Sequence, residues 1–302
     1  MNILFASESE DPQRWLPRLK EHLPGDGFFL EPGAQIEVAL VAKPPAGTFE
    51  NSPNLKFVQS LWMGVEQLLA DPALPRGVPI ARLVDPGMVL AMSETVLARV
   101  LEWHRHHPHY RSQQRERLWK PLPQFMAADR RIGLLGLGEL GSDAARKLVA
   151  LGFSVRGWGR RPKRLDGVEC STELPHVLAQ SDVVVCLLPL TAATRGLLSA
   201  QVFAQMPEGA CLINVARGGH VVEKDLLAAL DSGRVSHAYL DVFETEPLPA
   251  DHPFWAHPKV TLTPHVAALT EPRTSIPKIV ANLERVRRGE RPEGLVDPAA
   301  GY

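Results

Sequence analysis

Short apolar runs alternate with helical patterns along most of the 302-residue chain. In the first part, four such runs are bounded by proline, glycine or acidic turn residues, as strands usually are. They cover residues 2–6, 36–42, 55–60 and 79–84. The stretch between the first two runs has helical spacing despite an internal proline. The pattern therefore predicts a first βα block that ends at a turn over residues 85–88.

A second set of strand candidates begins at residue 131. These are nearly continuous apolar runs, and helical stretches separate most of them, which is typical of a parallel sheet covered on both faces. They cover residues 131–136, 153–158, 182–188, 210–215, 236–242 and 259–264. The sequence therefore predicts an α/β protein with two doubly wound, Rossmann-like domains built on parallel sheets.

Two longer helices connect the blocks. The spacing predicts one helix over 92–118, beginning near Ser93 and Glu94 with a possible break at Pro108. A last helix over 271–288 follows the final strand, and we expect it to pack back on the first domain. The predicted domains are residues 1–92 together with 270–302, and residues 93–269.

Composition and charge narrow the class of protein. The chain is 45% hydrophobic with a formal net charge of −1, so no overall field favours nucleic acid. Three scattered cysteines form no CxxC motif, and we expect a reducing cytoplasm. No signal peptide is expected, and no stretch approaches the roughly 20 apolar residues of a membrane span.

A glycine motif lies between a predicted strand and a predicted helix. It is Gly136-x-Gly138-x-x-Gly141. In such motifs the first glycine permits the tight turn, the second lets a pyrophosphate approach, and the third lets helix and strand pack closely. The strand and helix context favours dinucleotide binding over a purely structural glycine turn.

Basic residues follow the next predicted strand, where an NAD site carries an acidic residue that binds the ribose 2′-hydroxyl. The stretch is Trp158-Gly-Arg160-Arg161-Pro-Lys163, and no carboxylate occurs before Asp166. A guanidinium group binds a phosphate, whereas a carboxylate repels it. We predict NADP(H), with NAD(H) as a weaker alternative, and Arg160 as the main 2′-phosphate contact. A solvated basic loop is the structural alternative.

Three further stretches place polar residues just beyond predicted strands, at the sheet edge where open α/β folds bind ligands. Arg217 lies in 213–221, Asp241 and Glu246 in 240–249, and His265 in 261–270. Each has an ordinary structural alternative: a salt-bridge partner for Arg217, a loop charge for Glu246, and a core residue for His265. Asp241 fits a turn or strand-end role nearly as well as a ligand contact.

The motifs GLGELG (136–141), NVARG (214–218), DVFETEPL (241–248) and TPHVAA (263–268) resemble those of the D-isomer-specific 2-hydroxyacid dehydrogenases. The resemblance covers nearly the whole chain and includes the terminal Gly-Tyr. It is strongest to a bacterial group that reduces glyoxylate and hydroxypyruvate. It implies one flavodoxin-like and one NAD(P)-binding domain with the active site between them. It also implies NADPH-dependent reduction of small 2-ketoacids.

The resemblance also implies roles for individual residues. His265 is the expected general acid, Glu246 orients its imidazole, and Arg217 binds the substrate carboxylate and polarises the carbonyl. Main-chain N–H groups of Met63, Gly64 and Val65 are expected to bind the same carboxylate. The remaining implied cofactor contacts are Glu139, Leu140, Leu188, Pro189, Val215, Ala216, Asp241 and Ala267.

Some expectations concern partners and specificity. By resemblance, the helix from residue 92 forms a homodimer surface, and Trp119 reaches the substrate pocket of a neighbouring subunit, although packing is the commoner fate of such a side chain. An aromatic residue is expected near Ala42 or Lys43, and its absence leaves a larger ketoacid open as substrate. The histidine-rich 104–110 segment lacks a complete ligand set, so no metal site is predicted.

Two functions other than ketoacid reduction are also compatible with the sequence. One is an NAD-dependent dehydrogenase that oxidises phosphoglycerate or a larger hydroxyacid, against which the basic residues at 160–163 argue. The other is a dinucleotide-sensing protein without turnover, against which the presence of Arg217, Glu246 and His265 together argues.

Overall fold

A computed structural model of the chain describes residues 1–297, so the terminal Gly-Tyr lies outside the described residues. The chain divides into two compact units. The first is Met1–Met88 together with the chain from Thr270 onward, and the second is Val89–Leu269.

The first unit contains a five-stranded parallel sheet. Its strands follow the order β2-β1-β3-β4-β5. They are β1 (Asn2–Ser7), β2 (Gly27–Phe29), β3 (Val38–Ala42), β4 (Phe57–Ser60) and β5 (Ile80–Ala81). The helices of this unit include α1 (Pro12–His22) and the short α2 (Glu66–Leu69). This strand order is that of flavodoxin-like domains, as the sequence resemblance implied.

Alternate residues of β1 belong to different apolar clusters, which shows that both faces of this sheet are covered. Ile3 and Phe5 lie in one cluster, and Leu4 and Ala6 lie in the other. The first cluster also includes Ile276 and Leu283 of the last helix. That helix therefore packs on the first unit, as expected from the sequence.

The second unit contains a seven-stranded sheet with the order β12-β11-β10-β9-β6-β7-β8. All of its pairings are parallel. The strands are β6 (Arg131–Leu135), β7 (Ser154–Trp158), β8 (Val168–Ser171), β9 (Val183–Cys186), β10 (Ala210–Asn214), β11 (Val235–Leu240) and β12 (Val260–Leu262). The carboxyl ends of these strands meet at one edge of the sheet, so the loops that follow β10, β11 and β12 are neighbours.

Helices cover both faces of the second sheet. They are α3 (Pro86–His104), α5 (Glu139–Ala150), α6 (Leu174–Leu178), α7 (Ala200–Gln205) and α8 (Glu223–Asp231). The short α4 (His107–Arg115) follows α3 and has no buried residue, and α9 (Pro272–Arg287) belongs to the first unit. On β9, Val183 and Val185 lie in one cluster and Val184 and Cys186 in the other. This arrangement explains why the predicted strands are continuous apolar runs.

The helix predicted over residues 92–118, with a possible break at Pro108, begins earlier than predicted and is interrupted just before that proline. The helix begins at Pro86, because the buried Asp85 carboxylate accepts the main-chain N–H of Gly87 and Met88 and so caps it. It ends at His104, and His106 adopts a left-handed conformation with φ of 61°. Pro108 lies in the first turn of α4, which begins at His107, and there its missing N–H costs no helical hydrogen bond.

Among the described residues, no helix combines the length and apolar character that a membrane crossing needs.

Buried His237 should make the second unit sensitive to acid. Its Nε2 lies 2.9 Å from Thr261 Oγ1, and burial lowers the pKa of His237 from 6.5 to about 4. Between these values the unfolded chain takes up a proton that the folded chain excludes, so stability falls as the pH falls from 6.5 to 4. Between pH 7 and pH 4.5, we expect the unfolding free energy of the wild-type protein to fall by about 2–3 kcal/mol more than that of His237→Asn. Urea unfolding of both proteins at the two pH values measures this difference. Equal losses in both proteins would contradict it.

Candidate active site

The glycine motif forms the turn between β6 and α5. Gly136 has φ of 104°, and a Cβ there would lie 2.8 Å from the Leu187 carbonyl oxygen. A Cβ at Gly141 would lie 1.9 Å from the Gly136 carbonyl oxygen. The backbone therefore requires glycine at both positions, as predicted from the motif.

Gly138 differs from these two glycines. Its φ is −68°, which any residue can adopt, and a Cβ there would have no described atom within 4 Å. Nothing within the described chain explains a glycine at this position. The space in front of Gly138 lies at the N-terminus of the twelve-residue helix α5, where backbone N–H groups and the helix dipole favour an anion. The turn thus fits the pyrophosphate of a dinucleotide.

The basic stretch lies beside this turn. Trp158 pairs with Leu135 at the ends of β7 and β6, and its carbonyl oxygen accepts the Gly136 N–H at 2.9 Å. Arg160 and Arg161 follow immediately and are exposed. Two cations therefore emerge next to the phosphate-binding turn, at the position predicted for the 2′-phosphate.

Lys163 is directed towards the glycine turn itself. Its Nζ donates to the Leu137 carbonyl oxygen at 2.5 Å and to Ser142 Oγ at 2.8 Å. The lysine links the basic loop to the turn and to the first residues of α5. This contact was not predicted from the sequence, which assigned Lys163 to the cofactor-binding basic stretch together with Arg160 and Arg161.

Trp158 Nε1 donates to the Thr172 carbonyl oxygen, so its indole N–H is also used within the chain.

The other implied cofactor residues follow strand ends or begin α5. Glu139 is exposed and Leu140 is partly buried in the first turn of α5, and Pro189 follows β9. Four side chains are buried in the apolar clusters, which leaves their main chains as the groups that a cofactor could reach. These residues are Leu188, Val215, Ala216 and Ala267.

Arg217 lies in a constrained loop after β10. Asn214 ends that strand, and its Nδ2 donates to the Arg217 carbonyl oxygen at 2.9 Å. A Cβ at the next residue, Gly218, would lie 1.8 Å from the carbonyl carbon of Phe243. Glycine at 218 therefore allows the Arg217 loop to contact the loop after β11, which carries Glu246.

His220 supports the same loop from beneath. It is completely buried, with Nδ1 3.0 Å from the Arg217 carbonyl oxygen and Nε2 3.3 Å from the Pro189 carbonyl oxygen. The ring connects the loops that follow β9 and β10. Sequence reasoning missed His220, because its position after Arg217-Gly-Gly carries no signal that distinguishes it from an apolar core residue.

His265 and Glu246 form a hydrogen-bonded pair. His265 Nδ1 lies 2.7 Å from Glu246 Oε2, and Glu246 Oε1 accepts the Phe243 N–H at 2.9 Å. Burial alone would raise the pKa of Glu246, but the bonds from His265 and from Phe243 outweigh it and leave that pKa below its ordinary value. The carboxylate is therefore ionised at neutral pH. His265 is half-exposed, and its Nε2 has no hydrogen-bond partner among residues 1–297.

Asp241 holds the turn that carries His265. Its buried carboxylate accepts the Thr263 hydroxyl at 2.6 Å and the N–H groups of Val266 and Ala267 at 3.0 and 2.9 Å. Its carbonyl oxygen accepts the His265 N–H at 2.8 Å. These bonds stabilise His265 at φ of 52°, a conformation that is rare outside glycine. The contacts correspond to the strand-end role considered for Asp241.

Met63, Gly64 and Val65 follow β4 in the first unit. Their main-chain N–H groups have no acceptor within residues 1–297, so they are available to an anionic ligand. The helix that follows, α2, has only four residues.

Trp119, in the second unit, is 98% exposed and makes no packing contact that would explain a tryptophan there.

No group of three histidine, cysteine, aspartate or glutamate side chains within the described part of the chain could hold a metal ion. In the 104–110 segment, His104 is buried against Phe153 and His106 Nε2 lies 2.9 Å from the Pro123 carbonyl oxygen.

A phosphate-binding glycine turn, with an arginine and a glutamate–histidine pair at the carboxyl edge of the same parallel sheet, defines a dinucleotide-dependent dehydrogenase of the doubly wound class. Residues 97–267 match the family model for the NAD binding domain of D-isomer specific 2-hydroxyacid dehydrogenases. The chain belongs to the D-isomer specific 2-hydroxyacid dehydrogenase family.

Relatives and solved structures agree over the full length. The chain is 41% identical to glyoxylate/hydroxypyruvate reductase A of Yersinia enterocolitica, with 100% of both proteins covered. A D-isomer specific 2-hydroxyacid dehydrogenase from Xanthobacter autotrophicus Py2, solved with NADPH and MES, has a TM-score of 0.96 and 44% identity, covering 100% of this chain and 99% of that one. The NADPH-dependent glyoxylate/hydroxypyruvate reductase of Sinorhizobium meliloti, solved with NADP and sulfate, has a TM-score of 0.93 and 37% identity at the same coverage.

Proposed function

We propose that this protein is an NADPH-dependent reductase of small 2-ketoacids, which converts glyoxylate to glycolate and hydroxypyruvate to D-glycerate. The observation that carries the proposal is the His265–Glu246 pair, held by Asp241 on a strand-end turn of the sheet that bears the dinucleotide-type glycine turn. The names of the full-length relatives supply the substrate class.

The proposed chemistry assigns one task to each side chain. His265 donates a proton to the carbonyl oxygen of the ketoacid from Nε2, the ring nitrogen that faces away from Glu246. The ionised Glu246 fixes the orientation of the imidazole through its contact with Nδ1. Arg217 binds the substrate carboxylate and polarises the carbonyl, a two-point contact that suits a planar guanidinium. The N–H groups of residues 63–65 bind the same carboxylate.

NADPH is the proposed cofactor, and when bound it supplies the hydride. The Gly136–Gly141 turn would hold its pyrophosphate, and Arg160 and Arg161 would bind the 2′-phosphate. Support comes from the exposed arginines beside the turn and from the NADPH and NADP complexes of similar proteins. In this proposal residues 93–269 form the cofactor domain, and residues 1–92 with 270–302 form the substrate domain.

Gly138→Ala tests the fit of the cofactor to the turn. Because the site has room for a Cβ and an ordinary φ, we expect the melting temperature to stay within about 2 °C of wild type. The added methyl group would occupy the space where a pyrophosphate approaches, so the KM for NADPH should rise about tenfold or more. Gly141→Ala is the matched control and should destabilise the fold itself. Unchanged NADPH binding by Gly138→Ala would contradict the assignment.

A second copy of the chain is the proposed partner. Several large apolar side chains of the segment from α3 onward are exposed, and a homodimer through this face would cover them. They are Leu101, Leu118, Trp119, Phe125 and Met126. We propose that Trp119 reaches the substrate pocket of the partner subunit. Sedimentation should give twice the 33.2 kDa chain mass, and a monomer would exclude this arrangement.

The three unpaired cysteines favour the cytoplasm as the location of this protein.

The decisive assay follows NADPH oxidation against a panel of 2-ketoacids. We expect glyoxylate and hydroxypyruvate to be reduced, and phenylpyruvate tests whether the absence of an aromatic residue near Ala42 or Lys43 admits a larger substrate. NADPH binding without reduction of any ketoacid would favour a dinucleotide-sensing protein. Efficient oxidation of a hydroxyacid with NAD and no NADPH activity would favour the oxidising dehydrogenase.

A further inference from the structure

The side chain of Glu10 lies between two tryptophans of the first unit. Its Oε2 accepts the Trp15 indole N–H at 3.1 Å, and its Oε1 accepts the Trp62 indole N–H at 3.2 Å. Both carboxylate oxygens are thus used, one by each ring. Glu10 follows β1 and Trp62 follows β4, so this carboxylate joins two loops that are 52 residues apart in sequence.

We propose that Glu10 is a positioning residue for the turn at Met63–Val65, acting through Trp62. The inference rests on the proposed function, in which the N–H groups of that turn bind the substrate carboxylate. Glu10 itself makes no contact with substrate in this account. It fixes the residue from which the turn begins.

Trp15 anchors the Glu10 carboxylate to the core of the first unit. It lies on α1, is completely buried, and belongs to the apolar cluster that contains Phe5, Leu40 and Phe57. A buried indole N–H requires an acceptor, and Glu10 supplies it. The position of the Glu10 carboxylate is therefore set by the core of the first unit.

Trp62 is held at its main chain as well as at its ring. Its N–H donates to Ser60 Oγ at 3.1 Å, and its carbonyl oxygen accepts the Leu83 N–H at 3.0 Å and the Ser60 hydroxyl at 2.9 Å. The ring packs against the same apolar cluster as Trp15. The Glu10 bond adds a restraint on the ring, so the orientation in which Trp62 leads into the turn depends on this carboxylate as well as on the main-chain bonds.

The orientation of the turn depends on Trp62 because the main-chain N–H groups of the turn make no hydrogen bond of their own within residues 1–297. The N–H groups of residues 63–65 have no acceptor within residues 1–297, so their directions follow from the residue that precedes them. A carboxylate binds well only when such donors converge. Loosening Trp62 should weaken binding of the ketoacid in the ground state and the transition state alike, which raises KM and leaves kcat nearly unchanged.

The test compares steady-state kinetics with glyoxylate at saturating NADPH. Glu10→Ala removes both bonds, and Trp62→Phe removes one indole N–H while keeping most of the ring. We expect each variant to raise the KM for glyoxylate about tenfold, as for a lost hydrogen bond to a charged group, with kcat within about twofold of wild type. The double variant should be no worse than either single variant, because both act through one bond.

Glu8→Gln separates this role from a general loss of structure, because it removes a charge on the same loop that pairs with the exposed Lys43 at 3.2 Å, and it should keep the wild-type KM for glyoxylate. Trp15→Phe removes the bond that fixes the Glu10 carboxylate, so it should raise that KM in the same direction as Glu10→Ala but by less. The KM for NADPH should be unchanged in all variants, and each must melt well above the assay temperature.

The outcomes distinguish this inference from the proposed function. If wild type reduces glyoxylate and both Glu10→Ala and Trp62→Phe keep its KM within about twofold, the positioning role is wrong and the proposed function stands. Additive losses in the double variant would also overturn it. If wild type reduces no ketoacid, the proposed function fails and the positioning role fails with it.

Discussion

Replacing His265 by alanine should lower kcat/KM for hydroxypyruvate by about 10²–10⁴-fold, the usual contribution of a general acid. The ring is paired with Glu246 through Nδ1 at 2.7 Å, and its Nε2 is available to a ligand. Removing it takes away the proposed proton donor without disturbing the glycine turn. NADPH oxidation at 340 nm measures the loss, and the dissociation constant of NADPH should stay within about threefold of wild type.

The conformation of His265 calls for a second variant. Alanine is strained at φ of 52°, whereas asparagine tolerates the left-handed region. His265→Asn should therefore fold like wild type and be as inactive as His265→Ala. Glu246→Gln keeps a hydrogen-bond acceptor but loses the charge, so its loss should be smaller, about tenfold. If His265→Asn retains more than about a tenth of wild-type activity, His265 is not the proton donor.

Replacing Arg160 and Arg161 together by alanine should remove the preference for NADPH. Each guanidinium is expected to contribute about 1.5–3 kcal/mol through hydrogen bonds to a phosphate, so kcat/KM for NADPH should fall about 10²-fold or more. The value for NADH, which lacks the 2′-phosphate, should stay within about threefold. Parallel kinetics with the two nucleotides measure the change.

Lys163→Ala is the matched control for this prediction. The lysine contacts Leu137 and Ser142 at the glycine turn, so its loss should weaken NADPH and NADH to the same degree. A wild-type enzyme that prefers NADH, or a double arginine variant that loses both nucleotides equally, would show that the basic stretch does not recognise the 2′-phosphate.

The sequence predicted the central strands well but missed one edge strand of each sheet. Buried parallel strands such as β9 and β10 are continuous apolar runs, which a window of residues reveals. The edge strands β2 and β8 were missed, because Gly27–Phe29 is short and Val168–Ser171 is half polar. The start of α3 was missed because Asp85, within a turn-like stretch, acts as a helix cap.

The site shows a similar division. Motif positions such as Gly138, Arg217 and His265 could be identified because their chemistry depends on residue type and local order. The groups that hold them could not, because their contacts join distant segments. Asp241 reaches Ala267 across 26 residues, and Glu10 reaches Trp62 across 52. Only the fold brings these residues together.

The fate of a labelled hydride tests directly whether this protein reduces hydroxypyruvate by hydride transfer from NADPH. Hydroxypyruvate should be incubated with NADPH that carries deuterium at both hydrogen positions of the nicotinamide C4, and the product analysed by mass spectrometry and chiral chromatography. We expect D-glycerate with one deuterium at C2. Unlabelled product, L-glycerate, or no turnover by the wild-type protein would contradict it.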